Sequence, residues 1–298
     1  MKREKLRVAV GQYPLLAHRT FNEWHKHVAA WIEQAARAGA KLLVLPEFCS
    51  MDLAAIDPEN ERASANELIT NIQKHREAFR QTFLALAQSY AVYIVSGSLP
   101  CLVEEKYFNR SMLFSPSGKT GYQDKMMLTR FERERTFLSA GEQLTLFETE
   151  FGLWAIAICY DVEFPMVIRR LAETGCTLLI VPSCTGSVAG YNRIRIGCQA
   201  RALENQMPVI QSSTIGDAPW QPIADTNHGA AGVFGPPDHG FPETGIISIG
   251  LLDQPAWVYG DVDFEAYENV RENGHVLNWK HWDEQGVQLV RPMRKVSF

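Results

Sequence analysis

The stretch from Phe151 to Pro165 limits what this chain can fold into more than any other. Gly152 punctuates its start, the unbroken apolar run Leu153-Trp154-Ala155-Ile156-Ala157-Ile158 follows, and the run stops at Cys159. A strand that is apolar at every position, not at alternate ones, needs cover on both faces. Beyond it, Asp161 offers an N-cap type side chain and Pro165 suits the first turn of a helix. Ile168, Leu171 and Ala172 then keep helical spacing. Cys159 is therefore expected between a buried strand and a helix N-terminus, where unsatisfied N–H groups and the dipole favour a thiolate and could hold an oxyanion. Taken alone, a cysteine ending an apolar run is more often a packing residue.

The same pattern recurs along the chain. Leu6 to Gln12 reads as a first strand, and Trp24, Val28, Trp31, Ile32 and Ala35 follow at helical spacing, closed by Gly39. Lys41 to Leu45 is a short buried strand stopped by Pro46, and a long helix carries Ile69, Ile72, Phe79, Phe83, Leu86 and Tyr90 along one stripe. Val92 to Ser98 is a further strand. Asn109 to Phe114 and Tyr122 to Leu128, joined by the Pro116–Gly121 turn, predict a hairpin. Strands joined by so tight a turn are antiparallel, so the sheet is mixed. Leu144 to Glu148, Thr177 to Pro182, Pro208 to Ser213, Gly232 to Phe234 and Gly245 to Leu252 supply more strands, with a helix from about Gly190 to Asn205. This strand–helix order with short connections argues for layered α/β in a single domain spanning residues 1–298. From about residue 254 the chain turns aromatic and charged, a tail expected to wrap its own domain or a neighbouring subunit.

Composition excludes several classes. A net charge of -5 gives no footprint for nucleic acid. No apolar run is long enough to cross a bilayer, and Met1-Lys2-Arg3-Glu4-Lys5 leads straight into the first strand without a secretory leader, so a cytoplasmic protein is expected. Six cysteines lie scattered with no C-x-x-C pair, which reads as reduced thiols. No metal-ligand spacing occurs: His25 and His27 fall on different helix faces, and Asp225, His228, Asp238 and His239 read as a solvated polar loop.

Three positions share one shape, a strand end followed by a reactive side chain: Glu47 after Leu43-Val44-Leu45-Pro46, Lys125 in the second arm of the hairpin, and Cys159. Open α/β sheets place ligands beyond their strand ends. Singly, Glu47 is as well read as a loop carboxylate and Lys125 as an exposed hairpin residue.

Together these segments resemble the nitrilase superfamily of carbon–nitrogen hydrolases. Pro46-Glu47-Phe48 is similar to its glutamate motif, Asp124-Lys125 to its lysine motif, and Ile158-Cys159-Tyr160-Asp161 with Phe164-Pro165 to its cysteine elbow. Glu134, ahead of Gly141, matches the family's second glutamate, and Arg201-Ala202-Leu203-Glu204-Asn205 resembles a late, largely structural signature. The resemblance runs from Arg7 to about Asp263 and implies a four-layer α-β-β-α sandwich with two mixed sheets, a homodimer or higher oligomer, and no cofactor. Departures concern the pocket: Met127 stands where histidine is frequent, Glu163 where many members carry arginine, Met166 where glutamate usually follows the proline, and Cys184 where an aromatic is frequent.

The chemistry implied is cleavage of a non-peptide C–N bond of a small linear amide or carbamoyl compound. Cys159 would be the nucleophile, Glu47 the general base, and Lys125 with the Tyr160 backbone N–H the oxyanion donors, with Glu134 orienting Lys125 or the substrate nitrogen. Met127, Arg130, Phe131, Glu163, Cys184 and Thr185 are the candidate pocket residues; Arg130 could hold a substrate carboxylate, and Glu163 could pair with Arg169 or Arg170 on its own helix. A nitrile passing through a thioimidate is the alternative substrate, placed second because amide-cleaving members are the commoner kind. Acyl transfer to an amine, a non-catalytic scaffold of the same fold, and a Cys–His enzyme using His228 are weaker alternatives.

Overall fold

The computed structural model describes residues 5–298. Met1 to Glu4, most of the charged lead-in, lie outside the described residues. One wing of strands contains β1 (Leu6–Pro14), β2 (Leu42–Leu45), β3 (Tyr93–Val103), β4 (Lys106–Phe114) and β5 (Thr120–Asp124), with β6 (Leu138–Ser139) beside β4. The other contains β7 (Phe147–Thr149), β8 (Gly152–Ile156), β9 (Cys176–Ser183) and β10 (Val209–Asp217), with β11 (Thr226–Asn227), β12 (Gly232–Phe234) and β13 (Ile246–Ile249) extending it. Strand β14 (Ala256–Val262) returns to pair antiparallel with β1 along its whole length.

β1, β2 and β3 are parallel, while β3–β4–β5 is the expected antiparallel meander, its second turn closed by the Ser115 N–H on the Lys119 carbonyl at 2.9 Å. β8, β9 and β10 are parallel as well. The expected pair of mixed sheets is one continuous network. β1 and β10 are hydrogen-bonded side by side over only three residue pairs, Gln12–Pro14 against Ser213–Ile215, so the two wings join there and diverge. Strand twist accounts for so brief a pairing.

Alternation along β1 shows the layering. Leu6, Val8 and Val10 pack in one core with Trp154 and Ile156 of β8 and Val233 of β12, between the wings. Ala9 and Tyr13 face the other way, against Trp24, Val28 and Ile32 of helix α1 (Phe21–Arg37). The short helix α2 (Ala65–Asn71) and the long α3 (Arg76–Tyr90) complete that outer layer; α3 contributes Phe79 and Phe83, and α2 begins in a Ser64–Glu67 capping box. On the far side, Ile168 and Leu171 of α5 (Pro165–Glu173) and Ile194 of α6 (Val188–Asn205) cover β8 and β9. The chain is thus an α/β sandwich with helices on both outsides. After β5 comes α4 (Arg130–Arg135), a short helix exposed except at Glu132.

The C-terminal region is partly sheet and partly wrap. After β14, helix α7 (Phe264–Asn273) buries Phe264, Tyr267 and Val270, and the following turn lays Trp279 and Trp282 over Arg169 of α5 at 4.4 and 4.3 Å. This segment packs on its own chain. Residues 285–298, including α8 (Gln285–Leu289), are exposed.

Candidate active site

Glu47, Lys125 and Cys159 come from three different strand ends and meet. β2 ends at Leu45, β5 at Asp124 and β8 at Ile156, and each reactive residue follows within three positions. Lys125 Nζ donates to Glu47 Oε1 at 2.7 Å, and both side chains are buried. The Cys159 thiol lines the same cavity as the Glu47 carboxylate and lies 3.5 Å from the carbonyl oxygen of Cys184. The other Glu47 oxygen accepts the Cys184 backbone N–H at 3.0 Å, and Asn109 Nδ2 donates to Oε1 at 2.8 Å. Three donors from three chain segments, Lys125, Cys184 and Asn109, therefore fix the orientation of one carboxylate. Two non-glycine residues at these strand ends, Phe48 and Cys159, take left-handed backbone angles, φ 56° and 49°. Such conformations cost energy and persist where the surroundings impose them. At Cys159 the bend turns the thiol out of the strand direction and into the cavity.

The second carboxylate on Lys125 is Glu132, not Glu134. Glu132 Oε1 and Oε2 lie 3.0 and 2.9 Å from Lys125 Nζ, and Asn109 Nδ2 reaches Glu132 Oε1 at 3.4 Å. Glu132 is also the third residue of a capping box: Thr129 N and Oγ1 both donate to its Oε2 at 2.8 Å. Glu134 lies two residues further on, roughly 200° around the helix, and points to solvent. There it pairs with Arg130 at 2.7 Å, an ion pair whose side chains are 52% and 87% exposed. The Thr129-x-x-Glu132 spacing was the available signal for the right glutamate.

Burial sets the electrostatics. It pushes the Glu47 carboxyl above its ordinary range, and the nearby Lys125 charge only partly offsets this. For Lys125, burial favours the neutral amine, but the Glu132 and Glu47 carboxylates outweigh it and hold the ammonium charged. For Glu132, burial is overcome by Lys125 and by the Thr129 donors, so its carboxyl stays below the usual value. Burial, then the Glu47 charge, raises the Cys159 thiol well above normal. Burial thus works against the pull toward a thiolate expected from the helix terminus.

A cavity of about 450 Å³ opens over this group. Of the candidate pocket residues, Phe131, Glu163, Cys184 and Thr185 line it, as does Tyr160. Met127 and Arg130 do not: Met127 gives its backbone N–H to Asp161 at 2.7 Å, and Arg130 is spent on Glu134 at the surface. Glu163 pairs neither with Arg169, which is held by Glu173, nor with Arg170; it faces Arg193 of α6 across 3.7 Å at the cavity wall. Arg193 and Asn109 had no local sequence signal, since helical spacing and strand register bring them in from distant segments. His228 pairs with Asp253 at 2.9 Å and is absent from the cavity lining, which removes the Cys–His alternative. Among the described residues, no group of three or more His, Cys, Asp or Glu side chains is arranged to hold a metal ion. Among the described residues, no helix is long and apolar enough to cross a membrane.

The carbon–nitrogen hydrolase family model matches residues 7–250, more than half of the chain. The chain belongs to the carbon–nitrogen hydrolase family. It is 34% identical over 275 residues to a probable hydrolase, YhcX, of Bacillus subtilis; the match covers 92% of this chain but 53% of that protein, about half its length. It is 26% identical over 273 residues to the omega-amidase NIT2 of Homo sapiens, covering 88% of this chain and 91% of the relative. In fold it is similar to a carbon–nitrogen hydrolase structure from Helicobacter pylori, with a TM-score of 0.78 at 21% identity over 96% of this chain and 97% of the other. The strand-end cluster, and with it the cavity, lies inside the matched span.

Proposed function

We propose that the chain hydrolyses a small linear amide or carbamoyl compound through a thioester on Cys159. The observation that carries this reading is the convergence of Cys159 and Glu47 on one cavity, the Glu47 carboxylate being itself tied to the buried ammonium of Lys125 at 2.7 Å. The amidase relative supports the amide over other C–N substrates. Glu47 takes the thiol proton as the sulfur attacks the carbonyl carbon. Negative charge then grows on the substrate oxygen, toward the Lys125 ammonium and the Tyr160 backbone N–H. Each such donor is worth about 3 kcal/mol in the transition state.

Glu47 next gives its proton to the departing nitrogen, the C–N bond breaks, and ammonia or an amine leaves behind the thioester. Water, losing a proton to the same carboxylate, attacks the acyl carbon; the acid departs and the sulfur recovers its proton. A carboxyl lifted above its ordinary range is suited to both directions of this exchange. Glu132 keeps Lys125 charged and aimed. Glu163 and Arg193 stand at the cavity wall, where they would face the acyl group.

Two measurements test the proposal. Cys159→Ala abolishes turnover while circular dichroism and the unfolding midpoint stay near wild type; substantial activity in that folded variant overturns the mechanism. Ammonia release from matched amides and nitriles distinguishes the substrates, and faster release from the nitriles would make the chain a nitrilase.

A further inference from the structure

Asp161, two residues beyond Cys159, is buried and has no part in the reaction sequence above. Its expected place was the N-cap of the following helix. Instead its carboxylate faces three backbone N–H groups of two separate segments. Oδ2 accepts Ile158 N at 2.9 Å, immediately before the nucleophile. Oδ1 accepts Met127 N at 2.7 Å and Met126 N at 3.1 Å, immediately after the lysine. The peptide of Lys125 is otherwise held by its N–H on the Asn109 carbonyl at 2.9 Å and its carbonyl on the Gly141 N–H at 2.7 Å. Gly141 can approach this closely because a Cβ there would meet the Asp124 carbonyl at 2.7 Å. Both of those contacts tie Lys125 to its own neighbourhood. Asp161 adds a direct tie from the lysine segment to the cysteine elbow.

Resting on the proposed roles of Cys159 and Lys125, we infer that Asp161 is a positioning residue that sets the distance between nucleophile and oxyanion donor by stapling the two loops together. A carboxylate suits the task because it is all acceptor: its two oxygens can take three N–H donors at once. Asparagine has nearly the same volume but only one acceptor oxygen, and its NH2 must face at least one of the three N–H groups. Separation of the loops displaces Lys125 from both the sulfur and the forming oxyanion, and sub-ångström misplacement of reacting groups is costly in rate.

The test compares wild type with Asp161→Asn and Asp161→Glu. In folded Asp161→Asn, kcat for an amide substrate falls at least thirtyfold with KM within threefold of wild type. The rate of Cys159 alkylation by iodoacetamide at pH 7, followed by mass spectrometry, falls about tenfold, because the displaced ammonium no longer favours the thiolate. Asp161→Glu, which keeps the acceptors, recovers part of both. Wild-type kcat and alkylation in Asp161→Asn overturn the staple, as does a loss confined to KM or to thermal stability. Hydrogen exchange in the unmodified protein decides the matter even where the variants do not fold. The amides of Ile158, Met126 and Met127 are expected to be protected together, and exchange at surface-loop rates overturns the assignment. Alkylation and exchange do not need turnover, so failure to find an amide substrate counts against the proposed function and leaves these readouts to judge the staple.

Discussion

Glu132 and Glu134 are separated by one residue on a single short helix, and their surroundings make them opposites. Glu132, with a side chain 3% exposed, touches Lys125 and Thr129; Glu134 shares solvent with Arg130. Glu132→Gln removes a charge that keeps Lys125 protonated and leaves a buried ammonium under-compensated. Its kcat is expected to fall by about a hundredfold, roughly 3 kcal/mol. Glu134→Gln, breaking only an exposed pair, leaves kcat within twofold; steady-state ammonia assays of the two variants side by side check both. The pH profile carries a second residue-scale test. Glu47 must be charged to accept the thiol proton, and burial holds its carboxyl above the usual range. Activity is therefore lost as pH falls through that raised value, at less acidic pH than an exposed glutamate would give. An acid limb of kcat/KM at the ordinary glutamate position would mean that another group is the base. At the cavity wall, Glu163→Gln strips Arg193 of its counter-charge. It should raise kcat/KM for an amide carrying a distal carboxylate about fivefold relative to a neutral amide of equal length, near 1 kcal/mol for a part-exposed pair.

The elements supply these residues through their ends. β2, β5 and β8 stop in succession along the cavity floor, and their stops are written locally in Pro46, the hairpin register and Cys159. Helix α4 has only six residues, too short to persist on propensity, so its start depends on the Thr129–Glu132 capping box. The same carboxylate that closes this box grips Lys125, which joins the stability of the helix to the geometry of the site. Thr129→Ala is expected to cost about 1 kcal/mol in urea unfolding and to reduce kcat severalfold, because the Glu132 carboxylate loses the Thr129 Oγ1 donor and keeps only the backbone N–H. A loss of stability with unchanged kcat would separate the two roles.

At the scale of the whole molecule, α6 spans the layer from the cavity to the C-terminal wrap. Its first turns, at Ser187 and Gly190, line the cavity together with Arg193. Its last carbonyls, of Asn205 and Gln206, accept from Arg271 at 2.9 and 3.1 Å. Gln206, left-handed at φ 45°, reaches out to the Val276 carbonyl and the Trp279 N–H, both at 3.0 Å. Trp279 is sandwiched by Arg169 and Arg271 at 4.4 and 4.2 Å. Two partly desolvated cation–π contacts and the lost packing put the cost of Trp279→Ala at about 2 kcal/mol, measurable as a lowered Tm. Deleting residues 285–298, which are exposed, should shift Tm little. The segment through Trp282 thus packs on its own chain, while residues 285–298 stay exposed.

The sequence by itself determined the order of strands and helices, the layered α/β class, and the three segments that carry Glu47, Lys125 and Cys159 to strand ends. Those features follow from local rules: apolar runs, turn residues and proline stops act within a few positions of where they are read. Tertiary structure alone decided the rest. It chose Glu132 over Glu134, because side-chain direction on a six-residue helix depends on where that helix starts and what it faces. It brought Asn109 and Arg193 to the site through strand register and helix packing, and it turned Asp161 backward onto the lysine loop. It also bent Phe48 and Cys159 into left-handed conformations that no residue type announces. Glu132 alone among these had a local signal, its capping-box spacing from Thr129; the others depend on contacts that local patterning does not encode.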